Sequence, residues 1–463
     1  MNTLPFEKNK IYRKRNFVIL VLFNVLALFP IFPPALQSIS LGVFCGLSVL
    51  FYYEKFILKI KEKKILLSFL YITSYYLLLI GSYFWTKNKI GFYNEIQPNI
   101  VMIVLPIVIC FFSNTEKLKK NLDNFYNIFL ISMTIFFVIW MQYMVIGLRD
   151  YQHYYPYGSY PWLYMVPHIE NSYLFSSSIN LKNYYHLFKL VYQFKGALEL
   201  SVAQGYLHSK RECLFLTHYA YVGMMVNFCI AILVNKLINH KKFLGKAFLI
   251  LWILFFVFFQ LILNSKTNKG VLLLMVIIYF LYKLYLYKKY LSYSLFCLFL
   301  CFIGREISLN YLSYFEFSFE NNSFNRLIDF ERYNIYKASF EIIKPNFLFG
   351  VGLGDVSNVL NSKLSVLAST LHNDVNYNLT YNSHNQYIHI LISTGIIGLF
   401  LFVFSYFWHL KMIIVSKSKL LFFFILILGI NLLFENIFSR FNGAMFAILF
   451  IMINFVEYYE FAE

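Results

Sequence analysis

Twelve apolar runs, divided by polar stretches that hold nearly all the charge, constrain this chain more than anything else in it. They fall near residues 17–30, 35–54, 65–85, 100–113, 125–147, 213–235, 247–263, 270–282, 291–303, 384–410, 420–437 and 443–456. Most approach the roughly 20 residues that a ~30 Å hydrocarbon core asks of a helix, and the shorter ones borrow from their flanks. The expected fold is an all-α integral membrane protein, a bundle of about 12 transmembrane helices, because a spanning helix satisfies its backbone groups within itself. Only 13% of residues are charged and 59% are hydrophobic, against roughly 25% charged in a soluble domain. That excludes a soluble globular fold, a disordered chain, collagen and a coiled coil. The formal charge of +18 is spread through loops, where charge avoids the cost of hydrocarbon. The expected partner is therefore the membrane and no nucleic acid.

The loops set the orientation, since short cytoplasmic loops are enriched in Lys and Arg. With the N-terminus inside, segments 1–16, 55–64, 114–124, 236–246, 283–290, 411–419 and 457–463 hold 23 Lys and Arg in 72 residues, and the outer segments hold 17 in 174. Both termini are expected in the cytoplasm and the first helix is expected to be retained, because no small-residue cleavage site follows the basic stretch Lys8 to Arg15. Two extracytoplasmic loops, 148–212 and 304–383, are longer than a connection needs, and loops of that length are usually functional or disordered. Their Tyr and Phe content favours packing on the bundle, so residues 1–463 are treated as a single polytopic domain. The six cysteines lie in or beside apolar runs, which gives no disulfide framework; Cys297 and Cys301 have i,i+4 spacing but no second ligand pair, so no metal is expected.

Arginine is used unevenly. Of eight Arg, six (Arg149, Arg211, Arg305, Arg326, Arg332, Arg440) fall in outer segments, whereas inner charges are mostly Lys. A guanidinium adds bidentate binding of phosphate or carboxylate, which suits an anionic ligand; solvated loop arginines paired with Glu306, Glu331 or Asp355 are the plainer alternative. Helical spacing from Glu331 puts Arg332, Tyr336 and Ser339 or Phe340 on one face, and Pro345 with Gly350-Val351-Gly352-Leu353-Gly354-Asp355 ends that helix. The glycine run lacks the strand and βαβ setting of a dinucleotide loop, so it is read as a tight turn. Further on, His384 and Asn385 stand at the mouth of a span, where an imidazole can titrate near neutrality and serve as a base, or simply pack. His389, five residues later and deeper, is expected to be structural. Glu435, placed inside a span, is expected to be neutral or paired, with Arg440 the nearest cation.

The Arg332 helix, the turn into Gly-x-Gly-x-Gly-Asp and the His384-Asn385 helix start, in that order, resemble the core of the O-antigen ligase/polymerase family of bacterial membrane glycosyltransferases, in the version seen in Bacteroidetes. The resemblance covers about residues 205–456. Thr217-His218-Tyr219 is similar to the family's outer helix start, Asn264-Ser265-Lys266-Thr267 to its Ser-Arg or Ser-Lys step, and Glu435 through Arg440 and Gly443 to its closing motif. It implies a metal-independent, cofactor-free GT-C enzyme of the bacterial inner membrane. Such an enzyme moves a glycan from undecaprenyl diphosphate to an acceptor, either a lipid A core (ligation) or a growing glycan (polymerisation). Carried over residue by residue, Arg332 is catalytic and holds the diphosphate, His384 takes the acceptor proton or orients it, and Lys266, Lys269, His218, Asn385, Glu435 and Arg440 are substrate-binding. Lys266 stands where many relatives have Arg, which keeps the charge and loses the fork. A lipid-linked oligosaccharide flippase or other transporter is the competing class, and it would call for midplane ionisable residues and two related halves.

Overall fold

The computed structural model describes residues 4–154, 219–263, 265–287, 330–371 and 382–458. Among these every regular element is helical. Seven helices are long and apolar enough to cross a membrane: Pro34–Lys59, Lys63–Phe84, Lys89–Phe112, Leu122–Met141, Ala220–Asn239, Phe243–Ile262 and Gln386–Ser416. Lys419–Phe434 and Phe441–Glu457 are apolar but shorter. The expectation of an all-α multi-pass membrane protein is met, while the count of 12 is not reached among the described residues; the run 291–303 lies outside them.

The helices are α1 (Leu4–Leu26), α2 (Pro34–Lys59), α3 (Lys63–Gly81), α4 (Lys89–Ile96), α5 (Val101–Phe112), α6 (Thr115–Lys120), α7 (Leu122–Tyr154), α8 (Tyr219–Asn239), α9 (Phe243–Ile262), α10 (Lys266–Tyr287), α11 (Phe330–Ile343), α12 (Val356–Leu371), α13 (Gln386–Ser416), α14 (Lys419–Phe434) and α15 (Phe441–Tyr458). They form two compact units. The first comprises residues 1–51 and 114–269, the second residues 52–113 and 270–463.

In the first unit, α8 packs along α9, and α7 packs on the short turn Phe29–Ile31. Buried Ser132 donates to the Ala27 carbonyl at 3.0 Å, which satisfies a backbone group released where α1 ends. The entry to α10 is tied down by Asn268, whose amide donates to the Ala220 carbonyl and to Ser265 Oγ, both at 2.9 Å. Asn227 donates in turn to the Asn268 carbonyl at 2.9 Å. Both asparagines are fully buried, so their mutual bonds offset part of the penalty of sinking amides among apolar side chains.

In the second unit, α3 packs on α5 and α13, and α5 on α15. Helices α11 and α12 form a hairpin whose apolar faces (Ile335, Ala338, Ile342; Val356, Leu360, Leu364) close on Ile388 and Ile392 of α13. Helix α13 is interrupted at Gly395, whose φ of 65° and ψ of −162° lie outside the helical region. The interruption is a reversal. The Tyr387 and Phe402 ring centroids are 5.8 Å apart, although 15 residues of straight helix would separate them by about 22 Å. The arm 386–394 therefore folds back beside the arm 396–416, and the latter alone, about 31 Å long, matches a hydrocarbon core.

Helix α14 returns antiparallel and is five residues shorter than that arm. The position of a Cβ on Gly429 would lie 3.6 Å from Tyr406 Cε1, so the two helices are in register there. Counting on from that point, the end of α14 at Glu435 falls level with about residue 400, roughly 8 Å short of the Gly395 reversal. The ring contact between Phe402 and Phe438, at 5.9 Å, agrees.

A candidate site at the recessed end of α14

Glu435 caps α14 in an extended conformation, φ −147° and ψ 150°, with its N–H donating to the Asn431 carbonyl at 2.9 Å. The sequence expectation placed it inside a span, because the apolar run 420–437 extends past it to Ile437. In the structure α14 ends at Phe434, so Glu435 stands just past the helix and not within it. Its partner is also different from the one expected. Glu435 Oε1 is 3.9 Å from Arg332 Nη2, and Oε2 is 3.8 Å from His384 Nδ1. Arg440 is exposed, and no ion pair to it is found among the described residues.

Two side chains not singled out from the sequence build this meeting point. Ser383 Oγ donates to Asn436 Oδ1 at 3.1 Å, and Gln386 Oε1 accepts the Phe438 N–H at 3.0 Å. Both are buried. Together they stitch the segment after α14 to the segment before α13, which sets Glu435 opposite His384. The only cue in the sequence was their position either side of His384-Asn385.

His384 itself has φ 45°, a left-handed conformation that is uncommon outside glycine, asparagine, aspartate and histidine. Asn382 Oδ1 accepts the His384 N–H at 2.9 Å, which supports the turn. Asn385 then caps α13, its Oδ1 accepting the N–H groups of Tyr387 at 2.9 Å and Ile388 at 3.1 Å. That role consumes the Asn385 oxygen locally. The imidazole is half-buried and its Nδ1 has no hydrogen-bond partner among the described residues. His389 is buried in the first arm of α13, as a structural residue should be.

Arg332 arrives on the first turn of α11. Of the face expected from spacing, Tyr336 is half-buried and Ser339 fully buried, bonded to the Ile335 carbonyl at 2.7 Å, while Phe340 is exposed. Across the hairpin Lys363 pairs with Glu341 at 2.8 Å, and the hydrogen bond from Lys363 holds the Glu341 carboxyl below the usual carboxylate range.

The glycine run that closes the hairpin is a joint. Gly350 and Gly352 have φ of 68° and 94°. Val351 N–H donates to the Ile392 carbonyl at 2.8 Å, Gly352 N–H to the Ser393 carbonyl at 3.0 Å, and Ile396 N–H to the Phe347 carbonyl at 2.8 Å. These bonds satisfy the groups that the reversal of α13 releases, which is the condition for broken helix at membrane depth. On its other side the joint meets the turn before α4. A Cβ on Gly352 would lie 2.8 Å from Thr86 Cα, and buried Asp355 accepts the Lys87 N–H at 2.6 Å and the Asn88 N–H at 2.9 Å. The tight turn expected from the sequence is present, and Asp355 serves these backbone donors.

Arg332, His384, Asn385 and Glu435 are thus brought together in the second unit. Lys266 and Lys269 belong to the first unit, on the first turn of α10. His218 lies outside the described residues, as do Arg211, Arg305 and Arg326. A cavity of about 20 Å³ between Tyr75, Phe402, Tyr406, His409 and Phe438 holds at most one water and is no substrate site.

Residues 253–403 match the family model described as O-antigen ligase (Wzy_C). The matched stretch covers about a third of the chain, less than the 205–456 over which the resemblance was read, and it contains Lys266, Lys269, Arg332, His384 and Asn385 but neither Glu435 nor Arg440. No curated protein matches the chain significantly.

Proposed function

Because this is a multi-pass membrane protein carrying an O-antigen ligase domain, one shared by ligases and polymerases of lipid-linked glycans, we propose that it transfers a glycan from undecaprenyl diphosphate to an acceptor hydroxyl. The reaction takes place at the outer face of the bacterial inner membrane, with both termini in the cytoplasm. Ligation to a lipid A core is the form we adopt, and repeat-unit polymerisation is the alternative. The observation that carries the reading is the gathering of Arg332 and His384 around Glu435. A lipid-linked donor has its diphosphate at the boundary while its tail stays in hydrocarbon, and cationic side chains gathered at helix ends suit that anion.

In this reading the Arg332 guanidinium binds the diphosphate and neutralises charge as it leaves, which preorganised cations do well in a water-poor site. His384 Nε2 accepts the proton of the acceptor hydroxyl while the new C1–O bond forms and the bond from C1 to the diphosphate oxygen breaks. Undecaprenyl diphosphate leaves, and the imidazolium returns its proton to water. Asn385 fixes the start of α13 and so the position of the neighbouring imidazole. Positioning and electrostatics supply the acceleration, with no metal called for.

The test is transfer in vitro from purified lipid-linked donor with EDTA present, alongside direct donor binding. Arg332→Lys keeps the charge and loses the fork, so it should lose most activity. His384→Ala should lose about 10²- to 10⁴-fold with the protein still folded in the membrane. Lys266→Ala, Lys269→Ala, His218→Ala and Arg440→Ala go through the same binding assay as further donor contacts. Unchanged donor affinity in Arg332→Ala would refute the diphosphate assignment. Activity that disappears in EDTA would mean that a metal takes part, and the products separate ligation from polymerisation.

A further inference from the structure

The two oxygens of Glu435 face different partners. Oε1 stands 3.9 Å from Arg332 Nη2 and Oε2 stands 3.8 Å from His384 Nδ1. Both gaps exceed hydrogen-bond length, so with respect to these two groups the carboxylate hangs between them. It is well shielded, at 13% side-chain exposure, and His384 Nδ1 is buried without a hydrogen-bond partner among the described residues. The balance is easily tipped. An anion brought to Arg332 occupies the guanidinium fork and repels the carboxylate, and the group waiting on its other side is an imidazole nitrogen about 1 Å beyond bonding reach.

We propose that Glu435 is a positioning residue that makes donor binding a precondition for proton transfer. Diphosphate on Arg332 releases Glu435 to hydrogen-bond His384 Nδ1, which turns Nε2 toward the acceptor hydroxyl. This deepens the assignment of Arg332 and His384 made above and rests on it. The Nδ1 proton stays on the imidazole as the donor to Glu435. The hydroxyl proton goes to Nε2, and the carboxylate stabilises the imidazolium until that proton leaves to water. A base that is aimed only once the donor is seated also protects the lipid-linked glycan: stray hydroxyls that enter first meet an imidazole not yet held by Glu435.

The experiment uses the full chain in nanodiscs, with undecaprenyl diphosphate as the binding probe and lipid-linked donor for kinetics. In Glu435→Gln the probe should bind as tightly as in wild type or more tightly, because an anionic competitor for Arg332 has gone, while kcat falls about 10²-fold. A residue that merely supports the fold would not separate the two quantities in this way. In wild type labelled with 15N-histidine, undecaprenyl diphosphate should move the His384 resonances toward the Nδ1–H tautomer, and in Glu435→Ala it should not. Three results would overturn the coupling: full kcat in Glu435→Gln, weakened probe binding with kcat preserved, or wild-type His384 resonances that ignore the probe. If wild type binds the probe yet transfers no glycan, the functional reading fails, and the His384 resonances still judge the coupling.

Discussion

Asp355→Ala tests whether the glycine-rich joint holds the Arg332 hairpin in place. The buried carboxylate of Asp355 accepts two backbone N–H groups, from Lys87 at 2.6 Å and Asn88 at 2.9 Å. Alanine leaves both donors without their acceptor. Each such loss costs roughly 1–3 kcal/mol, and water reaching this part-buried turn offsets some of it, so about 2–4 kcal/mol in total is expected. At roughly 2–4 °C per kcal/mol for a unit of this size, the Tm should fall by about 5–10 °C. Unfolding can be followed with a thiol-reactive dye, since Cys45, Cys110 and Cys229 are buried free thiols that react only when the helices open. Amide exchange should rise at Lys87 and Asn88, while the capped amide of Leu421, bonded to Ser418 Oγ, should not change. Lys87→Ala is the control, because Asp355 binds the Lys87 backbone and not its exposed side chain. An unchanged Tm with unchanged exchange at Lys87 and Asn88 would refute the reasoning, and so would a Lys87→Ala variant as damaged as Asp355→Ala.

Gly395→Ala places a Cβ against the Leu348 carbonyl at a φ of 65°, which costs roughly 1–3 kcal/mol in backbone strain alone; thermal unfolding should show a drop of several degrees, and a parental Tm would mean that the reversal tolerates side chains. His389→Ala should lower the Tm by emptying a buried position while leaving kcat per folded molecule near wild type, and a selective loss of kcat would bring His389 into the chemistry. For orientation, impermeant thiol reagent applied to intact cells should reach a cysteine placed at Lys344 but not one placed at Lys119 or Lys417, and the opposite pattern would invert the topology.

The helical bundle was legible because hydrocarbon imposes a pattern on composition: the apolar runs at 35–54, 125–147 and 247–263 coincide with α2, α7 and α9. The two features that shape the site were hidden by the same rule. Ile396-Ile397-Gly398-Leu399 continue the apolar character of Ile388 to Ile392, so nothing in hydropathy marks a reversal at Gly395. The apolar run 420–437 continues past α14 in the same way, which is why Glu435 was drawn inside a span and given Arg440 as partner. Arg332 and His384 were singled out through their residue chemistry and order, which can be read without knowledge of the fold. Asp355 was recognised as the end of a turn, but its acceptor role depends on an amide 268 residues away in sequence, for which local spacing carries no signal.

The joint around Gly350 is written almost entirely in main chain. Its bonds run from the N–H groups of Val351, Gly352 and Ile396 to the carbonyls of Ile392, Ser393 and Phe347, and from Lys87 and Asn88 N–H groups to Asp355. Only Asp355 contributes a side chain to these bonds. The exposed side chains of Lys87 and Phe347 are therefore free to drift without loosening these bonds, whereas the positive-φ glycines, one carboxylate and the buried Leu353 are not. Divergent chains that keep the same joint would look unalike to any comparison of letters and alike to a comparison of backbone angles. Grafting such a hairpin onto another bundle would then require transplanting its torsions, one acid and the apolar contacts of Val351 and Leu353.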